Sequence, residues 1–206
     1  MYCHRSFNIR LKGLFKMKNE MIIKNYIKTV IDFCKCINYC EITDIYDILI
    51  KTNDIDGKIF ICGNGGSAST ASHFKTDLNK AFSIAKETMP AICLADNIST
   101  LTAISNDYSY EDVFKYQLKY LLKEKDVLIT ISGSGNSNNV IKAAEYAKSR
   151  GNIVISFVGF NGGKLKAISD YSFHVSVNNM QISEDLHMLF CHLISTMIKK
   201  SGRNIK

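Results

Sequence analysis

The sequence predicts an α/β fold: a doubly wound, mainly parallel five-stranded sheet flanked by helices, with an N-terminal helical extension. Three observations carry this. From Gly57 onward, five short apolar runs rich in β-branched residues alternate with stretches of helical period. Two of those runs end in glycine- and serine-rich loops that open directly into a helix. The single proline, Pro90, precedes the second run, where a missing backbone N–H is tolerated.

Each element follows in order. Residues 18–52 read as two helices. The first is amphipathic through Ile22, Ile23, Tyr26, Ile27, Val30 and Ile31, and the second centres on ITDIYDILIKT. Strands are expected at 58–62, 91–95, 127–131, 153–158 and 172–177, their apolar character suiting a sheet covered on both faces. Helices are expected at 67–82, 110–123, 137–150, 163–168 and 183–200. Parallel strands require crossovers, and right-handed crossovers wind the sheet doubly. Residues 1–16 are basic with few apolar positions, and both Met17 and Met21 are good starts for the folded part. The expectation is a disordered extension over 1–16 and a single domain over 17–206, with helices at 18–52 and the α/β core at 57–206.

Composition bounds the function. Of 206 residues, 46% are hydrophobic and 22% charged, the balance of a globular protein with room for a proper core. No apolar run approaches the ~20 residues that cross a bilayer, and no segment has signal-peptide anatomy, so a cytoplasmic protein without membrane partners is expected. Seven cysteines follow no regular framework, which suits reduced thiols better than disulfides or a zinc ribbon. The net charge is +7, but the lysines are scattered among acids and no arginine–aromatic motif accompanies them. Nucleic acid is therefore not an expected partner.

The chemistry concentrates in two loops. ICGNGGSASTASHF (61–74) runs from a strand through a glycine turn into a helix, with Ser67 as a candidate N-cap. Such a turn presents free backbone N–H groups and a positive dipole end to an anion or polar ligand, though a tight turn with no ligand has the same outline. It is neither a Walker A loop nor a G-x-G-x-x-G fingerprint, so no nucleotide cofactor is expected. The third strand ends in SGSGNSNNVIKAAEYAK (132–148), where Ser132, Ser134 and Ser137 surround Gly133 and Gly135 at a helix start. Hydroxyls and helix N-terminal amides cradle a phosphate without metal or lysine. Two such loops on one sheet edge point to a phosphorylated polyol.

CGNGGSASTASHF, SGSGNSNNVIKAAEYAK and EDLHMLFCHL, with LTAISNDYSYEDVF between them, together resemble the sugar-isomerase (SIS) domain family, in its phosphoheptose isomerase branch. The likeness spans about 20–200. It implies aldose–ketose isomerisation of sedoheptulose 7-phosphate through an enediolate, supplying heptose for surface polysaccharide, in a homotetramer with sites at subunit boundaries. Ser132, Ser134 and Ser137 would hold the phosphate with Asn64, Gly65 and Ser67, and Gly133 stands where a threonine is often found, with loss of one hydroxyl contact. The loop after the second strand would add Asp96 or Asn97. His73 matches the family histidine on the first core helix, and Asp77 replaces the glutamate that serves as general base. Glu184 replaces a glutamine, and its partner His192 is retained. His73 and Asp77 share a helix face, as do Glu184 and His192. If the four converge, they form a His/Asp/Glu/His set suited to zinc, one ion per site, as in some family members.

Because Asp77 is one methylene shorter than glutamate, Glu184 is an alternative base beside Asp77 and His192. His187, three residues beyond Glu184, reads as structural. Non-catalytic phosphosugar-binding relatives and a scaffold that binds the DnaA initiator share these loops, so both stand as alternatives to the isomerase.

Overall fold

A computed structural model describes residues 3–83 and 90–201, with side chains over 17–82 and 90–201. The chain divides into two compact units, Met1–Ile37 and Asn38–Lys206. The first holds one helix, α1 (Cys3–Lys35), whose backbone includes residues 3–16, and on which Met17, Met21, Ile22, Ile23, Ile27 and Ile31 are exposed.

The second unit begins with α2 (Tyr39–Asp54), capped by the Asn38 side chain, which accepts from the Cys40 amide. The described strands are β1 (Ile59–Gly63), β2 (Ala91–Cys93), β3 (Val127–Ser132), β4 (Ile153–Gly159) and β5 (Tyr171–Val175). They pair in the order β2-β1-β3-β4-β5, every pairing parallel. Between and after them run α3 (Gly65–Ser83), α4 (Ile98–Asp107), a 3-10 turn (Tyr110–Asp112), α5 (Val113–Leu121), α6 (Asn138–Ser149), α7 (Gly163–Ile168) and α8 (Met180–Lys200). Among the described residues no helix is long and apolar enough to cross a membrane.

The central strands β1 and β3 are buried on both faces, as the middle of a parallel sheet requires. One face packs Phe60, Leu128, Val154 and Val158 against Phe114, Leu118 and Val140 of α5 and α6. On the other, Phe157 meets Phe190 edge to face at 4.9 Å, and Phe173 stacks on Phe190 at 4.1 Å, which seats α8 on the sheet.

Several boundaries differ from the sequence expectation. The stretch expected as one helix over 110–123 begins with the 3-10 turn and ends at Leu121. Before it stands α4, which the sequence reading does not expect, capped by Asn97 accepting from the Thr100 amide at 2.9 Å. Most of its side chains are exposed, so the apolar stripe that marks a helix is thin. Helix α3 starts at Gly65, which puts Ser67 inside the first turn rather than at the N-cap. Helix α8 starts at Met180, ahead of the expected 183, because Asn179 caps it through the Ile182 amide.

In this strand order the chain reverses direction of winding between β1 and β3. The crevice beyond their carboxyl ends is where parallel α/β sheets take ligands. Both glycine–serine loops leave the sheet there.

Candidate active site

A cavity of about 240 Å³ opens at that switch point. Asn64, Gly65, Gly66 and Ser67 line it from the first loop, Ser132, Gly133, Ser134 and Ser137 from the second, and Met180 and Glu184 from α8. The loop hydroxyls are arranged as donors. Ser132 Oγ accepts from the Gly135 amide at 3.2 Å, and Ser134 Oγ accepts from the Asn136 amide at 3.2 Å. Ser134 keeps its O–H to give to a ligand, and Ser132 and Ser137, whose hydroxyls lie 3.4 Å apart, have one O–H left between them after their mutual bond. Ser137 stands at the N-cap of α6 but makes no capping bond with its side chain, so its hydroxyl is not spent on the first-turn amides.

Close approach explains two of the glycines. A Cβ at Gly66 would lie 2.5 Å from Glu184 Oε1 and 2.6 Å from Oε2, so any larger residue would make the Glu184 carboxylate shift from the first turn of α3. A Cβ at Gly133 would collide with Met180 Sδ. The thioether of Met180 takes the space that a longer residue would fill, and the missing loop hydroxyl is matched by an apolar wall.

Farther along the same two helices, His73, Asp77 and His192 bring one ligand atom each within 4.8 Å of one another. The His73 and His192 Nε2 atoms are 3.0 Å apart, and Asp77 Oδ2 lies 3.5 Å from the first and 3.9 Å from the second. The imidazoles are about half exposed and the carboxylate is mostly covered.

Glu184 does not join this group, which corrects the expected four-residue cluster. It lies eight residues before His192, so α8 carries it about 12 Å away at 1.5 Å per residue. Gly66 stands seven residues before His73 on α3. The two helices thus present Gly66 with Glu184 at one level and His73 with His192 two turns on.

Asp96 and Asn97 are not brought to the switch-point cavity. Asp96 pairs with Lys75 at 2.5 Å and lines a different hollow with Asn79 and Cys93. Burial alone would raise its carboxyl, but hydrogen bonds from Lys75, Ser72 and Cys93 outweigh this and hold it below its ordinary value. Asn97 is spent on capping α4. His187 is buried in the α8–sheet interface, 6.2 Å from the Phe157 ring. Burial pulls it down to about 4 against an opposing backbone hydrogen bond with Val158, and His174 adds to the effect of burial.

The sequence reading missed Tyr110, Asn139 and Met180. Asn139 was detectable in principle: it heads the buried stripe Asn139, Ala143, Ala147 on α6, where one polar residue demands a partner. Tyr110 carries no such periodic signal.

A parallel sheet whose switch-point cavity offers donors to an anion places the protein among the phosphate-binding α/β domains. The SIS domain family model matches residues 25–159. A phosphoheptose isomerase of Helicobacter pylori (strain P12) is 44% identical over 153 residues, covering 74% of this chain and 80% of the relative. One from Clostridium acetobutylicum is 36% identical over 187 residues, covering 89% and 95%. The solved phosphoheptose isomerase from Neisseria gonorrhoeae superposes with a TM-score of 0.81 at 32% identity, over 89% of this chain and 98% of that one. The chain belongs to the SIS domain family, in its phosphoheptose isomerase branch.

Proposed function

We propose that the protein interconverts sedoheptulose 7-phosphate and the corresponding aldoheptose 7-phosphate, for use in surface polysaccharide. The observation that carries this is the meeting of Asp77 with His73 and His192 on the helices that also border the donor-lined cavity. The two-turn offset between the levels is a distance that an extended seven-carbon sugar phosphate covers. With its phosphate on Ser132, Ser134 and Ser137, the substrate would present C1 and C2 to the cluster.

The reaction removes a proton from C1, beside the C2 carbonyl, to form an enediolate. A proton then returns to C2, and the proton of the C1 hydroxyl passes to the C2 oxygen, so that C1 becomes the carbonyl and C2 carries a hydroxyl. Asp77 is assigned as the base and His192 as the acid at C2, and His73 orients them. Glu184, at the loop level, faces sugar hydroxyls instead. The cluster's donor set also fits zinc: two imidazole nitrogens and one carboxylate oxygen converge, which leaves a fourth position open. His73, Asp77 and His192 would hold the ion, and a bound zinc supplies Lewis-acid polarisation of the substrate carbonyl.

Incorporation of solvent deuterium at the reacting carbons, followed by NMR with and without a chelator, tests the assignment. Binding of sedoheptulose 7-phosphate without exchange, before and after zinc addition, would refute it. We further propose a homo-oligomer, a tetramer by the family likeness, supported by the apolar residues exposed on α1; a monomer by light scattering at micromolar concentration would count against it. The unpaired cysteines among the described residues suit a reducing cytoplasm.

A further inference from the structure

The amide of Asn64 lines the cavity, and the hydrogen bonds behind it fix what it can offer. The Val140 backbone amide donates to Asn139 Oδ1 at 3.0 Å. A backbone N–H can only donate, so this contact identifies the oxygen of Asn139 and hence its nitrogen. The two side-chain amides then pair reciprocally. Asn64 Nδ2 donates to Asn139 Oδ1 at 2.8 Å, and Asn139 Nδ2 donates to Asn64 Oδ1 at 2.9 Å. The Tyr110 hydroxyl donates to the same Asn64 oxygen at 2.8 Å.

An amide oxygen has two lone pairs and an amide nitrogen two hydrogens. Both lone pairs of Asn64 are occupied and one hydrogen is used, so one N–H is left for the cavity. Asn139 is buried in the first turn of α6, which places the Asn64 amide on the side of the serine loop. There it completes the pattern of Ser134, whose oxygen accepts a backbone N–H and whose hydroxyl remains to donate.

Tyr110 is 57% exposed, so core packing does not account for its placement. Its 3-10 turn is tied to α6: Asn138 donates to Glu111 at 3.1 Å, and Lys142 reaches Glu111 at 2.9 Å and Asp112 at 3.4 Å. The turn therefore spans from the helix that starts at the serine loop to the residue that opens the glycine loop.

We propose that Tyr110 is a positioning residue for phosphate recognition: with Asn139, it holds Asn64 as a donor only, so that the cradle selects the phosphate dianion. The idea rests on the phosphosugar reading above, but it concerns binding and not proton transfer. Removing the hydroxyl frees one lone pair of Asn64 Oδ1. The Asn64 amide can then accept the P–OH of a monoanion, which in the wild type it cannot.

The test uses Tyr110→Phe, Asn64→Ala and the double variant. Calorimetry follows binding of the reduced seven-carbon polyol phosphate, which has no carbonyl to isomerise, at pH values on either side of the second phosphate pKa near 6. Tyr110→Phe should bind the dianion about five- to tenfold more weakly, the scale for loosening one charge-assisted hydrogen bond. It should lose part of the wild type's preference for high pH, and adding it to Asn64→Ala should cost nothing more. In turnover of sedoheptulose 7-phosphate, KM should rise by a similar factor with kcat within twofold. Unchanged affinity and pH profile in Tyr110→Phe would overturn the proposal, as would the same loss persisting in the Asn64→Ala background. A fall in kcat alone would overturn it too, by placing Asn64 on the reacting carbons. Wild-type protein that binds the polyol phosphate but shows no turnover would sink the isomerase reading and leave the titrations to decide the role of Tyr110.

Discussion

The groove between α3 and α8 has two ends built by different means. At the loop end, backbone amides and short hydroxyls meet around a small cavity, and the Glu184 carboxylate sits on a glycine with no room for a methyl group. At the other end, three long side chains reach across open space, and two of them are about half exposed. The first end is rigid because the turn chemistry dictates it. The second depends on the register of two helices, α3 resting on the sheet through Phe74 against Phe157 and α8 through Phe190 against Phe157 and Phe173. Recognition and chemistry should therefore fail separately.

The largest expected separation comes from His192→Gln. Losing an acid used in proton transfer costs ~10²–10⁴ in rate, while affinity for the polyol phosphate should stay within about twofold because the loop end is untouched. Asp77→Asn should fall in the same range, and Glu184→Gln should lose less than about tenfold in kcat. Steady-state kinetics on the three variants rank them. A Glu184→Gln defect as large as that of Asp77→Asn would move the base to the loop end.

Next in size is a pH effect from the interface below the groove. His187 has an ordinary value of 6.5 and is pulled down to about 4 by burial, so the unfolded chain binds more protons between those values. Stability is full above about pH 6.5 and is lost as pH falls towards 4. The change totals about 3 kcal/mol at ~1.4 kcal/mol per unit. Urea unfolding at pH 7.5 and 4.5 should show it, and His187→Leu should flatten the difference. A His187→Leu protein with the wild-type pH dependence would assign the loss to other groups.

The two ends also differ in how far the sequence exposed them. The loops were readable because glycine and serine at a strand–helix junction have a local meaning, and the strand alternation placed both at one sheet edge. His73 with Asp77 and Glu184 with His192 were readable as helix faces. Spacing within each helix says nothing of the offset between helices, so Glu184 was expected beside His192 when the fold holds it two turns away. Asp96 looked like a ligand from its position after β2, but Lys75, 21 residues before it, claims it. Helix α4 escaped notice because so little of it is buried.

Gly66→Ala probes the loop end from inside the helix. Overpacking against Glu184 costs about 1–3 kcal/mol, and alanine returns up to about 1 kcal/mol of helix propensity. The net loss should stay below about 2 kcal/mol in thermal or denaturant unfolding. The Gly66→Ala/Glu184→Ala double variant should recover it, since the three atoms nearest to that Cβ all belong to the Glu184 carboxylate. If the double variant is no more stable than Gly66→Ala, Glu184 is not what the glycine accommodates.

The smallest effect isolates the cradle itself. Ser137 sits at the N-cap of α6 without a capping bond from its side chain. A serine that does cap loses about 1 kcal/mol on replacement by alanine, so Ser137→Ala should leave the melting temperature nearly unchanged. Its hydroxyl is instead 3.4 Å from that of Ser132, in a loop that offers donors to the cavity. Removing it, or the hydroxyl in Ser134→Ala, should weaken polyol phosphate binding by about 1–2 kcal/mol each, the scale for a hydrogen bond to a charged acceptor. The kcat of either variant at saturation should barely move, because the proton-transfer groups lie two turns away. A drop in melting temperature with unchanged affinity would make these serines structural caps and move the phosphate out of the switch-point cavity.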